Sequence, residues 1–218
     1  MEWEKNEHLQ HPLQCRCGTI KGHVSRPELA NRVVCYCGSC QAFAHFLGSP
    51  ADILDREGGY DVIQVLPKNV TFTQGDDSLA CLRLTDRGLL RWYASCCKTP
   101  IGNTLDSSKL SFVGLLHSCL DTAGASIDNS FGGVRARVNT RGALGLPKPK
   151  PTGVGRIIWW FVTTVLRARI DGSYKQTPFF FADTGKPRVS PHVLTTEELA
   201  GVMALVNASR HSSSEPAQ

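Results

Sequence analysis

Over the first half of the chain, apolar and polar positions alternate in short runs. Residues 19–24, 32–36, 60–66, 70–73, 79–84 and 89–94 are each rich in β-branched or aromatic side chains. Turn-forming steps separate them, at Gly58-Gly59, Pro67-Lys68-Asn69, Gly75-Asp76-Asp77 and Asp86-Arg87-Gly88. Short runs of this kind bounded by glycine, proline and aspartate read as strands. Together they predict a compact, mainly β, antiparallel domain, with residues 41–47 as one short helical candidate inside it. Residues 1–14 carry little pattern and read as a lead-in.

Past residue 106 the period changes. Leu110, Val113, Leu116 and Leu120 share one helical face and predict a helix over 110–120. Residues 121–155 are dense in glycine and proline, ending in the stiff stretch Gly145-Leu146-Pro147-Lys148-Pro149-Lys150-Pro151. Residues 154–170 are apolar nearly all round, which predicts a buried or covered helix capping the open side of the β domain. Trp159-Trp160-Phe161 between Arg156 and Arg167 also suits a membrane interface. Thr177-Pro178-Phe179-Phe180-Phe181 reads equally as a strand or turn packed against that same cover and as a wall of a substrate pocket. Thr195 and Glu198 form a capping box, after which Leu199, Val202, Met203 and Val206 recur at helical spacing. The serine-rich residues 209–218 predict a disordered tail.

Composition adds the class. The chain has 218 residues, 41% hydrophobic and 20% charged, a globular profile of one domain with an elaborated tail. Its longest apolar run falls well short of the ~20 residues that span a bilayer, so no membrane span is expected. Met1-Glu2-Trp3-Glu4-Lys5 has acids where a signal peptide needs bases, and a cytoplasmic protein is the expectation. The net charge of +5 is unevenly spread: residues 1–106 hold 11 Lys/Arg and 12 Asp/Glu, leaving +6 on residues 107–218.

The nine cysteines change the picture most. An odd number without an export signal argues for metal or thiol chemistry rather than a disulfide framework. They cluster as Cys15-Arg16-Cys17-Gly18, as Cys35-Tyr36-Cys37-Gly38-Ser39-Cys40, and as Cys96-Cys97. A turn carrying two cysteines one or two residues apart presents both sulfurs to one ion, and zinc takes thiolates readily. Glycine after Cys17 and Cys37 permits the positive φ that a tight knuckle needs. Cys81 and Cys119 stand alone in apolar runs and read as packed side chains.

This pattern of C-x-C-G, then C-x-C-x-x-C, then a distal cysteine pair before Thr99-Pro100-Ile101 resembles the glutathione-dependent formaldehyde-activating enzyme family, which includes centromere protein V. The resemblance covers about residues 13–106. It implies an Mss4-like zinc-binding β domain over 13–106, with 107–208 as a helical, basic extension packed on it. It also implies one to two zinc ions and a carbon–sulfur lyase that joins formaldehyde to glutathione, a thiol and aldehyde substrate pair, as S-hydroxymethylglutathione. Residue by residue, Cys15 and Cys17 match half of the family's structural site, and Cys35, Cys37 and Cys40 match its catalytic three-cysteine site. The family's distal C-x-x-C-G-[ST]-P motif places Cys97 at its second cysteine, Ala94 at its first and Lys98 at its glycine. The first site is then completed by Cys96 from an altered turn or by another group, or it holds only three protein ligands; Cys97 is expected to weigh more than Cys96. Adjacent cysteines on an ideal strand point to opposite faces, so both can serve one ion only if the chain turns at residues 95–98. A non-catalytic zinc-stabilised binding module of the same fold is the alternative.

No general acid or base adjoins the second cluster in sequence except His45, which reads better as a packed or surface histidine. Residues 129–170 hold eight Arg/Lys and no Asp or Glu. That stretch reads as a solvated face or an anion-binding surface. Without aromatic interleaving, a nucleic-acid partner is not expected.

Overall fold

The computed structural model describes residues 9–121 and 125–212. In chain order the elements are β1 (Gln10–Gln14), β2 (Lys21–Ser25), β3 (Asn31–Cys35), α1 (Gly38–Phe46), α2 (Pro50–Ile53), β4 (Tyr60–Val65), β5 (Val70–Gln74), β6 (Leu79–Arg83) and β7 (Leu90–Ala94). There follow β8 (Pro100–Thr104), β9 (Val113–Leu116), α3 (His117–Leu120), α4 (Ile127–Phe131), β10 (Ala136–Val138), α5 (Val154–Ile170), β11 (His192–Val193) and α6 (Thr196–Ser212). All six strands expected from the apolar runs are present, as is the helix around residues 41–47.

β1, β2 and β5 form a three-stranded antiparallel sheet. The remaining strands form a mixed sheet of eight in the order β10-β3-β4-β9-β8-β7-β6-β11. Its six central strands pair antiparallel, while β10 and β11 run parallel to β3 and β6 at the two edges. The sheet is therefore mixed rather than purely antiparallel.

Alternation along the central strands divides the interior into two layers. Ile63, Cys81, Trp92 and Leu115 face a core shared with Leu13, Ile20 and Val24 of the small sheet and its turn. Their neighbours Val62, Leu82, Tyr93 and Leu116 face the opposite core, with Phe43 and Leu47 from α1 and Val206 from α6. The eight-stranded sheet is thus the middle layer between a small sheet and a helical layer.

The residues beyond 106 are woven into this sheet. β9 lies between β4 and β8, so residue 106 marks no edge of the sheet. The helix expected over 110–120 is replaced by β9 followed by the single turn α3. Val113, Gly114, Leu115 and Leu116 are all buried, and a run buried on both faces has no period by which to tell strand from helix. α5 forms over the expected residues, yet of its 17 residues only Ala168 is buried. It is not a covered helix. Phe179 and Phe180 pack against Trp92, with ring centroids 5.2 and 6.3 Å away, and Phe179 also meets Phe72. They belong to the core between the sheets rather than to a layer under α5.

The capping box at α6 is formed as the pattern predicts: Glu198 N–H donates to Thr195 Oγ1 at 3.2 Å, and Thr195 N–H donates to Glu198 Oε2 at 2.8 Å. α6 extends to Ser212, so residues 209–212 are helical rather than a disordered tail. Residues 213–218, like 1–8 of the expected lead-in, lie outside the described residues.

Candidate metal centre

The first cluster forms where the small sheet meets the large one. β1 ends at Gln14, and the chain folds back through a knuckle in which Gly18 N–H donates to Cys15 O at 2.9 Å. Gly18 has a φ of 76°, a value open to glycine at no steric cost. Across from it, β7 ends at Ala94 and a turn over residues 95–97 leads into β8. Lys98 N–H donates to Ala94 O at 2.8 Å, closing that turn, and Lys98 takes a φ of 58°. The strand's alternation stops at Ala94, so Cys96 and Cys97 are not obliged to face opposite sides.

Both join the cluster. The sulfurs of Cys15, Cys17, Cys96 and Cys97 all lie within 4.8 Å of one another. Cys96 Sγ is 3.3 Å from that of Cys17, 3.9 Å from that of Cys15 and 3.8 Å from that of Cys97, while Cys15 and Cys17 are 3.5 Å apart. A tetrahedron with metal–sulfur bonds of about 2.3 Å has sulfur–sulfur edges of about 3.8 Å. The spacing fits four ligands of one ion and is far too long for a disulfide. Surrounding donors suit thiolates: Ile20 N–H points at Cys15 Sγ at 3.2 Å, and the hydroxyls of Thr19 and Thr99 lie 3.2 and 3.1 Å from Cys17 and Cys97. The Thr19 hydroxyl and amide bring the Cys17 pKa down to about 6, so this sulfur is ready to bind at neutral pH.

The second cluster forms at the N-terminus of α1. Cys35 ends β3, Cys37 caps the helix and Cys40 lies in its first turn, their sulfurs all within 4.8 Å of one another. Hydrogen bonds from Cys35 and then Cys40 hold the Cys37 thiol well below its ordinary range, against the opposing effect of burial. The same sharing, together with burial, pushes Cys40 up. One thiolate is thus favoured at the expense of its neighbours.

Three residues outside the cysteine motif complete this region. β10 runs parallel to β3, and the residue after it, Asn139, donates from Nδ2 to Cys35 Sγ at 3.2 Å. Gln41, buried on α1, donates from Nε2 to the carbonyls of Gly142 and Gly58 at 2.9 and 3.2 Å, tying the later segment to the helix. Arg91 is only 2% exposed, donates to Asn103 Oδ1 at 3.2 Å and stacks over Phe43 at 5.3 Å. Among the described residues no carboxylate pairs with Arg91, and its positive charge favours the thiolate of Cys40. A charge in an otherwise apolar strand run was the signal for Arg91; nothing in the sequence marked Asn139.

Cys37 opens onto a shallow cleft of about 430 Å³, lined also by Asn139, Thr140, Arg141 and Pro151. Arg210 of α6 donates to Gln41 Oε1 at 3.1 Å, beside Gly38. His45 does not approach the cysteines in this way: its Nε2 lies 3.3 Å from the Ser209 hydroxyl, on the side of α1 that packs against α6. Cys81 and Cys119 are buried apart from both clusters, as expected, and burial raises each to about 12.

Fold and site together define a sheet-rich chain with two cysteine clusters, each able to hold a metal ion. By sequence, residues 9–156 match a family of unknown function (DUF6151), and the chain belongs to that family. The match includes both clusters and Asn139; α6 and most of α5 lie beyond it. None of the curated proteins matches the chain. Among solved structures, a Rhodobacter sphaeroides protein determined in a structural genomics programme aligns at 17% identity and a TM-score of 0.37, over 56% of this chain and 96% of its own.

Proposed function

We propose that this is a zinc protein with one structural and one reactive site. Cys15, Cys17, Cys96 and Cys97 would hold the structural ion, and Cys35, Cys37 and Cys40 the reactive one. The reaction would be that of a carbon–sulfur lyase, forming or cleaving a thiol–aldehyde adduct such as S-hydroxymethylglutathione. The resemblance to formaldehyde-activating enzymes is one support for this reading. The observation that carries it is the unequal ligand count. Four sulfurs close a tetrahedral shell, whereas three leave a position for an exchangeable ligand.

Zinc in such a site supplies positive charge that keeps a bound thiol deprotonated at neutral pH. The chain's own residues would do the rest. Asn139 fixes the position of Cys35, and the Ser39 hydroxyl, 3.2 Å from Cys37 Sγ, does the same for Cys37. Three thiolates around a dication leave one net negative charge, which buried Arg91 offsets. Arg141 at the cleft and Arg210 nearby suit the carboxylates of an acidic thiol such as glutathione. In adduct formation the sulfur–carbon bond forms as the carbonyl π bond opens, and the thiol proton passes to the oxygen through water. The orientation of His45 toward α6 favours the second reading, a non-catalytic zinc-stabilised module, since among the described residues no general acid then adjoins the cluster.

The test is NMR exchange spectroscopy of formaldehyde with glutathione. Zinc-loaded protein should speed exchange, while zinc-stripped protein and Cys37→Ser should not. Two firmly bound zinc ions with no acceleration would overturn the lyase reading and leave the binding module.

A further inference from the structure

α5 is exposed along its apolar side. Ile158, Trp159, Val162, Leu166 and Ile170 recur at helical spacing, and they are 59%, 72%, 52%, 58% and 78% exposed. The opposite side is held to the protein by Ala168, by Phe161 meeting Phe112 edge to face at 5.8 Å, and by Trp160 Nε1 donating to Leu29 O at 3.4 Å. Arg156 and Arg167 border the exposed stripe and Arg169 falls within it at the C-terminal end, with no acidic residue anywhere from 129 to 170. Seventeen residues make a helix of about 25 Å, too short to cross a bilayer.

Under the edge of the same helix lies a basic cavity of about 520 Å³, whose lining includes Arg26, Lys68, Arg135, Trp160, Arg167 and Ser173. Its two carboxylates are already engaged: Glu28 lies 3.7 Å from Arg26, and Asp171 lies 3.5 Å from Lys68. Arg135 and Arg167 have no carboxylate partner among the described residues. Ser173, only 5% exposed, brings a buried hydroxyl to the same lining. Two guanidinium groups without a carboxylate partner, beside a buried hydroxyl, are a donor set for a phosphate oxygen.

We propose that α5 docks this protein on an anionic phospholipid surface. The apolar stripe lies in the headgroup–acyl boundary, and the adjoining cavity takes the phosphate of an anionic headgroup. An apolar face with basic residues beside it is the mark of an interfacial helix, with Trp159 at the depth aromatic side chains favour. Charge argues against a second copy as the occupant. Two α5 helices packed face to face would bring their arginines together with no acid on either to pair them.

The test is co-sedimentation of the full chain with vesicles of neutral phosphatidylcholine and with vesicles containing anionic phosphatidylglycerol. Binding should be seen with the anionic vesicles, should weaken with salt, and should shift Trp emission to the blue. Trp159→Ser with Leu166→Ser should abolish it. These positions are exposed, so circular dichroism should stay unchanged. Arg135→Ala and Arg167→Ala should each weaken binding about fivefold, the effect of one basic residue near an anionic surface. No binding to anionic vesicles at low salt would overturn the proposal. So would a concentration-dependent dimer, seen by light scattering, that the Trp159→Ser, Leu166→Ser variant disperses.

Discussion

Lys98 is the residue on which the first cluster turns. Its φ of 58° places it in the left-handed region, where a Cβ crowds the backbone by roughly 1 kcal/mol. Its Nζ lies over the rings of Tyr93 and Phe46, at 5.1 and 5.9 Å, contacts that partly offset this strain. Replacing it with glycine would remove both effects, so the clean comparison is between two variants that each lose the ammonium. Lys98→Gly is expected to be more stable than Lys98→Ala by about 1 kcal/mol, read from denaturant midpoints. Equal stability would mean that the turn relaxes without strain. The family's distal motif favours Cys97 over Cys96, whereas the turn brings both sulfurs to the cluster. Strand alternation stops at Ala94, and the conformation that frees both sulfurs to face Cys15 and Cys17 depends on a single lysine in a glycine-like conformation. On the zinc reading, alkylation of loaded protein should spare Cys96 and Cys97 alike until a chelator is added. Rapid labelling of either one alone would remove it from the ligand set.

Elements were legible where one side faced a core and the other did not. The six early strands and the capped helix α6 follow directly from alternation, turn residues and the Thr195–Glu198 box. β9 was not legible, because Val113 to Leu116 is buried on both faces and its spacing also fits a helix. β10 and β11 are three and two residues long and carry too little pattern to register. α5 was correctly bounded but placed in the wrong surroundings, since apolar composition measures what a helix could bury and not what the fold lays over it. The consequence for the second cluster is that its later wall depends on one close approach. A Cβ built on Gly142 would sit 2.2 Å from Tyr36 O, so no other residue fits while Asn139 reaches Cys35. Gly142→Ala should therefore push the segment after β10 away from α1, at a cost of about 1–3 kcal/mol typical of overpacking. Alkylation of Cys35 and Cys37 in metal-free protein should speed up in parallel, while that of Cys96 stays unchanged. An unaltered Cys35 rate would show that the cluster does not lean on this segment.

At the scale of the whole molecule the two clusters occupy different mechanical positions, and this separates what their metals would do. The first joins the turn after β1 in the small sheet to the turn after β7 in the large one, so it clips together the two walls of one core. A four-thiolate zinc site contributes on the order of 10–16 kcal/mol to folding, comparable with the 5–15 kcal/mol stability of an entire domain. Without an ion, four sulfurs within 4.8 Å of one another must share protons or repel, and the clip is lost. The second cluster sits at one end of a helix already held by Phe43, Leu47 and Val206 in the opposite core, by Gln41 and by α6. Its metal would charge-balance Arg91 and order the cleft without carrying the fold. Two zinc ions per chain should thus leave in two steps as chelator is raised. The first loss should leave far-ultraviolet circular dichroism intact, and the second should coincide with unfolding. Cys37→Ser should purify folded with one zinc ion, whereas Cys17→Ser should be insoluble or unfolded. Release of both ions in one step with the fold retained would place neither cluster in the role of clip, and the division into structural and reactive sites would fall with it.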